Sequence, residues 1–274
     1  MKKRILIYTF LFSTLLCSCK KSQSNTELMN QPTKSEISET EISESETQET
    51  ETLTPEELLM EYKSLDATTI VDVQGFTESQ INSLFYSCEI DDNLFERIYG
   101  KSYKEDCTVG RDSLTYLRML YKDLDGNTHI GEMIVNQDIK DDVIEIFKEL
   151  YWNNYPIEKM VLIDEYNADD NLSMADNNTS SFNYRVVEGT TKLSKHSQGL
   201  AIDINPRYNP YIHKLNGETV ISPENGTEFA DRSLSFEYKI DKSDLAYKLF
   251  IEHGFTWGGD WNSIKDYQHF QKEF

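Results

Sequence analysis

Basic residues are scarce in this chain. Its 274 residues include 27 lysines and arginines against 48 aspartates and glutamates, which gives a formal net charge of −21 at pH 7. Phosphate and anionic lipid repel such a chain, so the composition argues against a nucleic-acid partner and against adsorption on an anionic membrane surface. Much of the negative charge lies in one N-terminal segment and says little about the folded part.

Cysteine is also sparse, with four in the chain. Cys88 and Cys107 are too far apart in the sequence to form a CxxC metal-binding motif, and no second such pair exists. This argues against a zinc site built from cysteines. A disulfide between them and a pair of free, buried thiols both remain open, and neither cysteine is a candidate nucleophile.

The apolar run Ile5–Leu16 is shorter than a typical transmembrane helix. Three basic residues precede it, and Leu16-Cys17-Ser18-Cys19 follows, a pattern that resembles the signal of bacterial lipoproteins. The resemblance implies that residues 1–18 are a lipoprotein signal peptide and that Cys19 carries the lipid. An ordinary cleaved secretory signal is the alternative.

Aromatic residues are absent from the segment 19–54, in which Ser, Thr and Glu dominate. Such a segment cannot bury enough apolar surface to offset its chain entropy, so it is predicted to be a disordered acidic tether. At Pro55, with Thr54 as cap, a helix is expected to begin. From there on the apolar density is that of a globular protein, which predicts one folded domain over 55–274.

Hydrophobic periodicity within this domain predicts both helices and strands. Helices are expected at Thr77–Tyr86, Asp141–Trp152 and Ser243–His253, and strands at His129–Asn136, Met160–Ile163 and Leu200–Ile204. The elements follow one another without a regular βαβ order. The predicted fold class is therefore α+β, with a small antiparallel sheet and flanking helices.

Two short segments supply two histidines and two carboxylates. In the strand after Gly199, alternation places Asp203 on the face opposite Ile202, where it could line a cleft, and His196 could fold back to share a metal with it. Near the C-terminus, Asp266 and His269 are three residues apart and share a side in a bent turn.

Two imidazoles and one carboxylate suit a zinc site with an open position, and a further carboxylate beside the metal suits proton transfer. Structural roles are the alternatives: a buried histidine paired with an acid, and an acid that orients a ligand histidine. The intervening Trp257-Gly258-Gly259-Asp260-Trp261 fits the floor of a cleft or a plain turn with core tryptophans.

The pattern Ser-x-His-x-x-Gly-x-Ala-x-Asp at Ser194–Asp203, followed by Asp-x-x-His at Asp266–His269, resembles the zinc D-alanyl-D-alanine carboxypeptidase family. Related families are the D-Ala-D-Ala dipeptidases of vancomycin resistance and phage L-alanyl-D-glutamate endopeptidases. The resemblance extends from about Gly75 to Phe274 and is strongest in 174–274. It implies a hedgehog-like α+β fold with the zinc site in a cleft.

The resemblance also implies roles for individual residues. One zinc ion would be held by His196, Asp203 and His269, with Asp266 as general base and Arg185 as a catalytic and substrate-binding residue. Ser194 and Trp257 are further substrate-binding candidates, and Arg185 could instead form a plain salt bridge. The dipeptidases have Glu where this chain has Asp266, which favours the carboxypeptidase and endopeptidase branches.

The predicted function is that of a lipid-anchored zinc peptidase of the cell envelope that cleaves peptidoglycan stem peptides. The expected cut is the terminal D-Ala-D-Ala bond. Cleavage between L-Ala and D-Glu is the nearest alternative, and a non-catalytic lipoprotein that binds wall peptide is the alternative from another class.

Overall fold

The computed structural model describes residues 53–187, 189–215 and 217–274. The predicted signal peptide, Cys19 and nearly all of the tether lie outside the described residues, so these predictions and the domain boundaries stay predictions. The described part is α+β, with small antiparallel sheets and several helices. Within it, no helix combines the length and the apolar character that crossing a bilayer requires.

In the described residues, six α-helices begin where a side chain or a preceding turn supports their first backbone N–H groups. At α1 the Thr54 side chain accepts from the backbone of Glu57, and the Glu57 side chain accepts in return from the backbone of Thr54. The predicted start at Pro55 is thereby confirmed. The helices are α1 Pro55–Ser64, α2 Glu78–Asn82, α3 Asp92–Ile98, α4 Lys140–Trp152, α5 Asp170–Ala175 and α6 Leu245–Glu252.

Nine strands form three antiparallel three-stranded sheets in the described residues, where the sequence predicted one small sheet. They are β1 Tyr86–Cys88, β2 Leu114–Lys122, β3 Thr128–Asn136, β4 Ala201–Asp203, β5 Tyr211–Leu215, β6 Glu218–Ser222, β7 Thr256–Trp257, β8 Lys265–Asp266 and β9 His269–Gln271. Their orders are β1-β2-β3, β4-β9-β7 and β6-β5-β8. Short 3₁₀ turns lie at Arg111–Ser113, Gln137–Ile139, Ile163–Tyr166, Lys195–Gln198, Glu224–Phe229 and Gly258–Asp260.

The β1-β2-β3 sheet packs one face against α4, the helix predicted over Asp141–Trp152. Leu117 and Met133 lie opposite each other in the register of β2 and β3, and both are buried with Phe147 and Leu150 of α4. The same cluster continues to Ile202, Phe250 and Phe270. One apolar core thus supports both this sheet and the strands of the predicted site.

Two sequence predictions were wrong in this part of the chain. The helix predicted over Thr77–Tyr86 ends at Asn82, and Tyr86 already pairs with Arg118 of β2. The strand predicted over Met160–Ile163 is absent: residues 160–162 are buried but form no strand ladder, and Ile163 begins a 3₁₀ turn. There the side chain of Asn178 replaces a neighbouring strand, since it accepts from the N–H of Val161 and donates to its carbonyl.

Candidate metal centre and active site

Strand pairing brings two of the three predicted ligands together. Asp203 of β4 and His269 of β9 are direct partners in the antiparallel register. Ile202 points the opposite way into the core and is fully buried, which is the alternation expected from the sequence. Two residues 66 positions apart in the chain thereby face each other across one sheet.

A 3₁₀ turn at Lys195–Gln198 presents the third ligand, His196. The Ser194 hydroxyl accepts from the backbone N–H of His196, at 3.3 Å, and so fixes the start of the turn. Gly199 ends it at φ +66, and a Cβ there would lie 2.6 Å from the backbone nitrogen of Asn136. Only glycine fits this left-handed position against β3, which explains the glycine in the motif.

The three ligand groups form a small triangle, with one nitrogen from each imidazole and the two oxygens of the Asp203 carboxylate. His196 Nε2 lies 3.1 Å from His269 Nδ1 and 3.2 Å from Asp203 Oδ2, and His269 Nδ1 lies 3.0 Å from Asp203 Oδ1. Tetrahedral zinc with bonds of about 2.0–2.1 Å separates its ligands by about 3.3 Å. The triangle therefore has nearly the size that one zinc ion requires.

Hydrogen bonds behind the imidazoles orient their lone pairs toward the same point. His196 Nδ1 lies 2.6 Å from the carbonyl oxygen of Ser181, and His269 Nε2 lies 3.0 Å from Oε1 of Gln271. In the neutral imidazoles that would bind a cation, these two nitrogens carry the protons and donate, so that His196 Nε2 and His269 Nδ1 offer lone pairs. Two nitrogen lone pairs and a carboxylate that converge in this way fit a bound cation.

The electrostatics of the triangle favour the charged form of Asp203. Burial raises the pKa of Asp203, but the charge and hydrogen bonds of the two histidines dominate and hold it well below its usual range. Burial lowers the pKa of His269, and this is outweighed by its hydrogen bond to Asp203 and by that carboxylate's charge, so the net shift is upward. Asp203 is thus ready to act as a charged ligand.

Asp266 ends β8, three positions before His269, and its backbone pairs with Tyr211 of β5. The chain bends between β8 and β9. The sequence predicted that a bend here would place Asp266 and His269 on the same side. Among the described residues, Oδ1 of Asp266 is buried and has no hydrogen-bond partner. Burial raises the pKa of Asp266 to about 7; the Asp203 charge acts in the same direction, whereas His269 and Arg185 oppose it. A carboxylate with a pKa near neutrality can accept and return a proton.

Arg185 lines the same cavity as the metal ligands and Asp266, and its guanidinium forms an ion pair with Asp170 at the start of α5. Its positive charge lowers the pKa of Asp266, so the two side chains interact electrostatically. Ser194 also borders the cavity, although its hydroxyl is engaged in capping the turn that carries His196.

Trp257, predicted to bind substrate, does not line the cavity. Its indole is buried in the core, where it packs on Tyr247 and donates to the carbonyl of Tyr267. Of the two alternatives for this motif, the structure favours core packing for Trp257. Trp261 instead borders the cavity, with its ring centroid 5.2 Å from that of His269.

The cavity has a volume of about 630 Å³, and one wall comes from the hairpin of β5 and β6. Tyr211 and His213 of β5 stack with ring centroids 4.5 Å apart and both border the cavity. His213 belongs to no sequence motif, and only the pairing of β5 with β8 brings it toward Asp266. Gln271, the partner of His269, was also not predicted.

Comparison with protein families gives an independent result for this segment. Residues 188–272 match the family model described as D-alanyl-D-alanine carboxypeptidase. The family resemblance is confirmed. The matched segment contains His196, Asp203, Asp266 and His269, whereas Arg185 lies just before it. Comparisons with curated proteins and with solved structures gave no significant match.

The match and the geometry together support a peptidase with a group of residues that could hold a metal ion. Peptidases of this family are zinc-dependent. In the described residues, His196, Asp203 and His269 offer ligand atoms that all lie within 4.8 Å of one another.

Proposed function

We propose that this protein is a zinc peptidase that removes the terminal D-alanine from peptidoglycan stem peptides. The observation that carries the proposal is the convergence of one ligand atom each from His196, Asp203 and His269, all within 4.8 Å of one another, in the cavity that also holds the unpartnered carboxylate oxygen of Asp266. All four residues lie in the segment that matches the carboxypeptidase family.

His196, Asp203 and His269 would hold one zinc ion. When bound, zinc supplies a Lewis acid for the scissile carbonyl and lowers the pKa of water to about 7. The carbonyl of Ser181 and the side chain of Gln271 keep the two imidazoles in the tautomers that this ligation needs.

Asp266 is the proposed general base. Its buried Oδ1 has no competing hydrogen bond among the described residues and can accept a proton from the attacking water. Asp266 then returns the proton to the amine that leaves. A pKa of about 7 suits both proton transfers, the uptake from water and the return to the amine, because the carboxylate can bind and release a proton near neutral pH.

Arg185 is the proposed cation for the substrate. It contacts either the developing oxyanion or the terminal carboxylate of the peptide, both of which need a guanidinium or a comparable donor. Its ion pair with Asp170 anchors it to α5 and fixes the direction from which it faces the cavity.

We also propose that the peptidase acts in the cell envelope, attached to the membrane by a lipid on Cys19. The support is the sequence alone: a basic and apolar leader, a lipoprotein-like cleavage pattern and an acidic spacer. Labelled palmitate is expected in the wild-type chain and in Cys17→Ser but not in Cys19→Ser. Equal labelling of all three would contradict the assignment.

The activity is tested by mass analysis of muropeptides treated with wild type, Asp266→Asn and Arg185→Ala. We expect the wild type to release D-alanine from pentapeptides, and Asp266→Asn to be inactive while it still binds one zinc per chain. Zinc content separates the loss of a base from the loss of the site. His196→Ala should lose both the metal and the activity.

Other outcomes distinguish the alternatives. A cut between L-Ala and D-Glu would identify an endopeptidase with the same residues in the same roles. A wild type that binds wall peptide without cleaving it, with affinity unchanged in Asp266→Ala, would identify a binding protein and reject the peptidase.

A further inference from the structure

Gln268 lies between the proposed general base Asp266 and the metal ligand His269, in the short bend that joins β8 to β9. Its backbone carbonyl accepts from the N–H of Ile204, the residue after Asp203, at 3.1 Å. This bond ties the bend to the end of β4. The Gln268 side chain is only 1 % exposed, yet it lines the cavity of the metal ligands. A buried amide is thus held at the wall of the active site.

The two ends of this amide have different surroundings. Burial raises the pKa of Asp266, and a hydrogen bond from the Gln268 side chain acts against that rise. Only the Nε2 end of a glutamine donates, so Nε2 is the end that faces Asp266. The other end, Oε1, is buried and accepts from no donor among the described residues. Most buried side-chain oxygens in folded proteins have a partner, so this one needs an explanation.

A buried carbonyl oxygen without a donor costs free energy, and a ligand that brings an N–H group removes this cost. Two cations on the cavity wall are already engaged by acids. Arg185 forms its ion pair with Asp170. Lys195 pairs with Glu273 at 2.6 Å. We therefore look to the substrate for the donor that Oε1 requires.

The position of the amide beside Asp266 limits which donor of the substrate can reach Oε1. In the proposed hydrolysis, water adds to the scissile carbonyl carbon, the C–N bond breaks, and the proton that Asp266 took from the water goes to the leaving nitrogen. That nitrogen must come within hydrogen-bond distance of Asp266. Oε1 and Nε2 belong to one planar amide, so the hydrogen that this nitrogen already carries is a donor close to Oε1.

We propose that Oε1 of Gln268 accepts the N–H of the scissile amide and so turns the lone pair of that nitrogen toward Asp266. This role depends on the proposed peptidase function and adds a contact to the atom at which the bond breaks. An ester oxygen in the same place carries no hydrogen, and its lone pairs would face those of Oε1. Replacement of the scissile N–H by oxygen therefore removes this one contact from the substrate side.

The test compares a stem pentapeptide with the matching depsipeptide, in which an ester oxygen replaces the scissile N–H. The ratio kcat/KM is measured on both substrates for the full-length, zinc-loaded wild type and for Gln268→Met, which has a side chain of similar length without an amide. We expect the variant to lose about tenfold more kcat/KM on the amide than on the ester, the effect of one buried hydrogen bond. A comparison of two substrates within one preparation does not depend on the fraction of folded protein.

Gln271→Met is the matched control, since Gln271 is a second glutamine at the cavity. It acts on His269, which both substrates need, so the amide and the ester should lose activity by the same factor. Gln268→Glu keeps an acceptor oxygen at the same reach and should retain the wild-type preference between the two substrates.

Equal losses on the amide and the ester in Gln268→Met would overturn the role of Gln268 and leave the peptidase proposal standing. A changed preference in Gln268→Glu would also contradict the role of Oε1. A wild type that releases no D-alanine from the pentapeptide would refute the proposed function, and the role of Gln268 with it.

Discussion

Replacement of Gly258 by alanine is expected to disturb the active site through direct contact with the backbone. A Cβ at this position would lie 2.6 Å from the carbonyl oxygen and 2.8 Å from Cβ of Asp266, and 3.3 Å from Cβ of His269. The first contact is roughly 0.8 Å shorter than the 3.4 Å at which ordinary contact begins. None of these atoms is the far end of a flexible side chain.

The neighbours of Gly258 have little room to move. Asp266 is held by the pairing of β8 with β5, and His269 lies in β9 between β4 and β7. We expect Gly258→Ala to lower the free energy of unfolding by about 1–3 kcal/mol, typical of overpacking. A displacement of the base by a large part of 1 Å should also lower kcat by about 10²-fold.

The assay combines urea unfolding, zinc content and release of D-alanine from a stem pentapeptide. Gly110→Ala is the matched control, because its new Cβ meets chiefly the side chain of Asp112, which is exposed and can rotate away. Wild-type stability and wild-type kcat in Gly258→Ala would refute the argument that this glycine is required for close approach.

Three further predictions concern single side chains. Gln271→Ala removes the acceptor of the His269 Nε2–H and should lower zinc affinity about 10-fold or more in a chelator competition, with little change in stability. The pKa of Asp266, raised by burial to about 7, should fall when zinc is added, because a nearby cation favours the carboxylate; ¹³C NMR of the side chain with and without zinc measures this. Burial also raises the pKa of Asp244 to about 6. The folded state then binds this proton more tightly than the unfolded state, so stability falls as pH rises from about 4 to 6. Asp244→Asn keeps an acceptor for the backbone N–H of Tyr247. It should be more stable than wild type by up to about 2 kcal/mol at pH 8 and no more stable at pH 4. Urea titrations at both pH values measure this difference.

Local patterns predicted the elements whose residues contact their own sequence neighbours. The helix over Asp141–Trp152 was found at Lys140–Trp152, and the alternation around Ile202 correctly placed Asp203 on the opposite face. Both patterns have a local cause: side chains repeat every 3.6 residues in a helix and every two in a strand. Gly254, predicted to follow the C-terminal helix, has φ +81 just after α6.

Other predictions failed where a distant partner decides the structure. Tyr86 lies in a strand because Arg118 pairs with it, and Val161 needs no strand neighbour because the Asn178 side chain satisfies its backbone. Trp257 is a core residue because Tyr247 of α6 packs against it. Each of these partners lies at least ten residues away in the chain, and periodicity among near neighbours does not show which distant residue will be in contact.

The identities of the three ligand candidates and of Asp266 could be read from the sequence, because histidine and carboxylate at motif spacing carry their chemistry in the residue type. The distances between these residues could not be read from the sequence. The register of β4 against β9 places Asp203 and His269 side by side, and the turn that ends at Gly199 places His196 beside them. The pairing of Glu132 with Arg97, and not with Arg118, its neighbour in the sheet, was likewise invisible in the sequence. Residue chemistry is local, whereas charge pairing and metal geometry depend on contacts between distant segments.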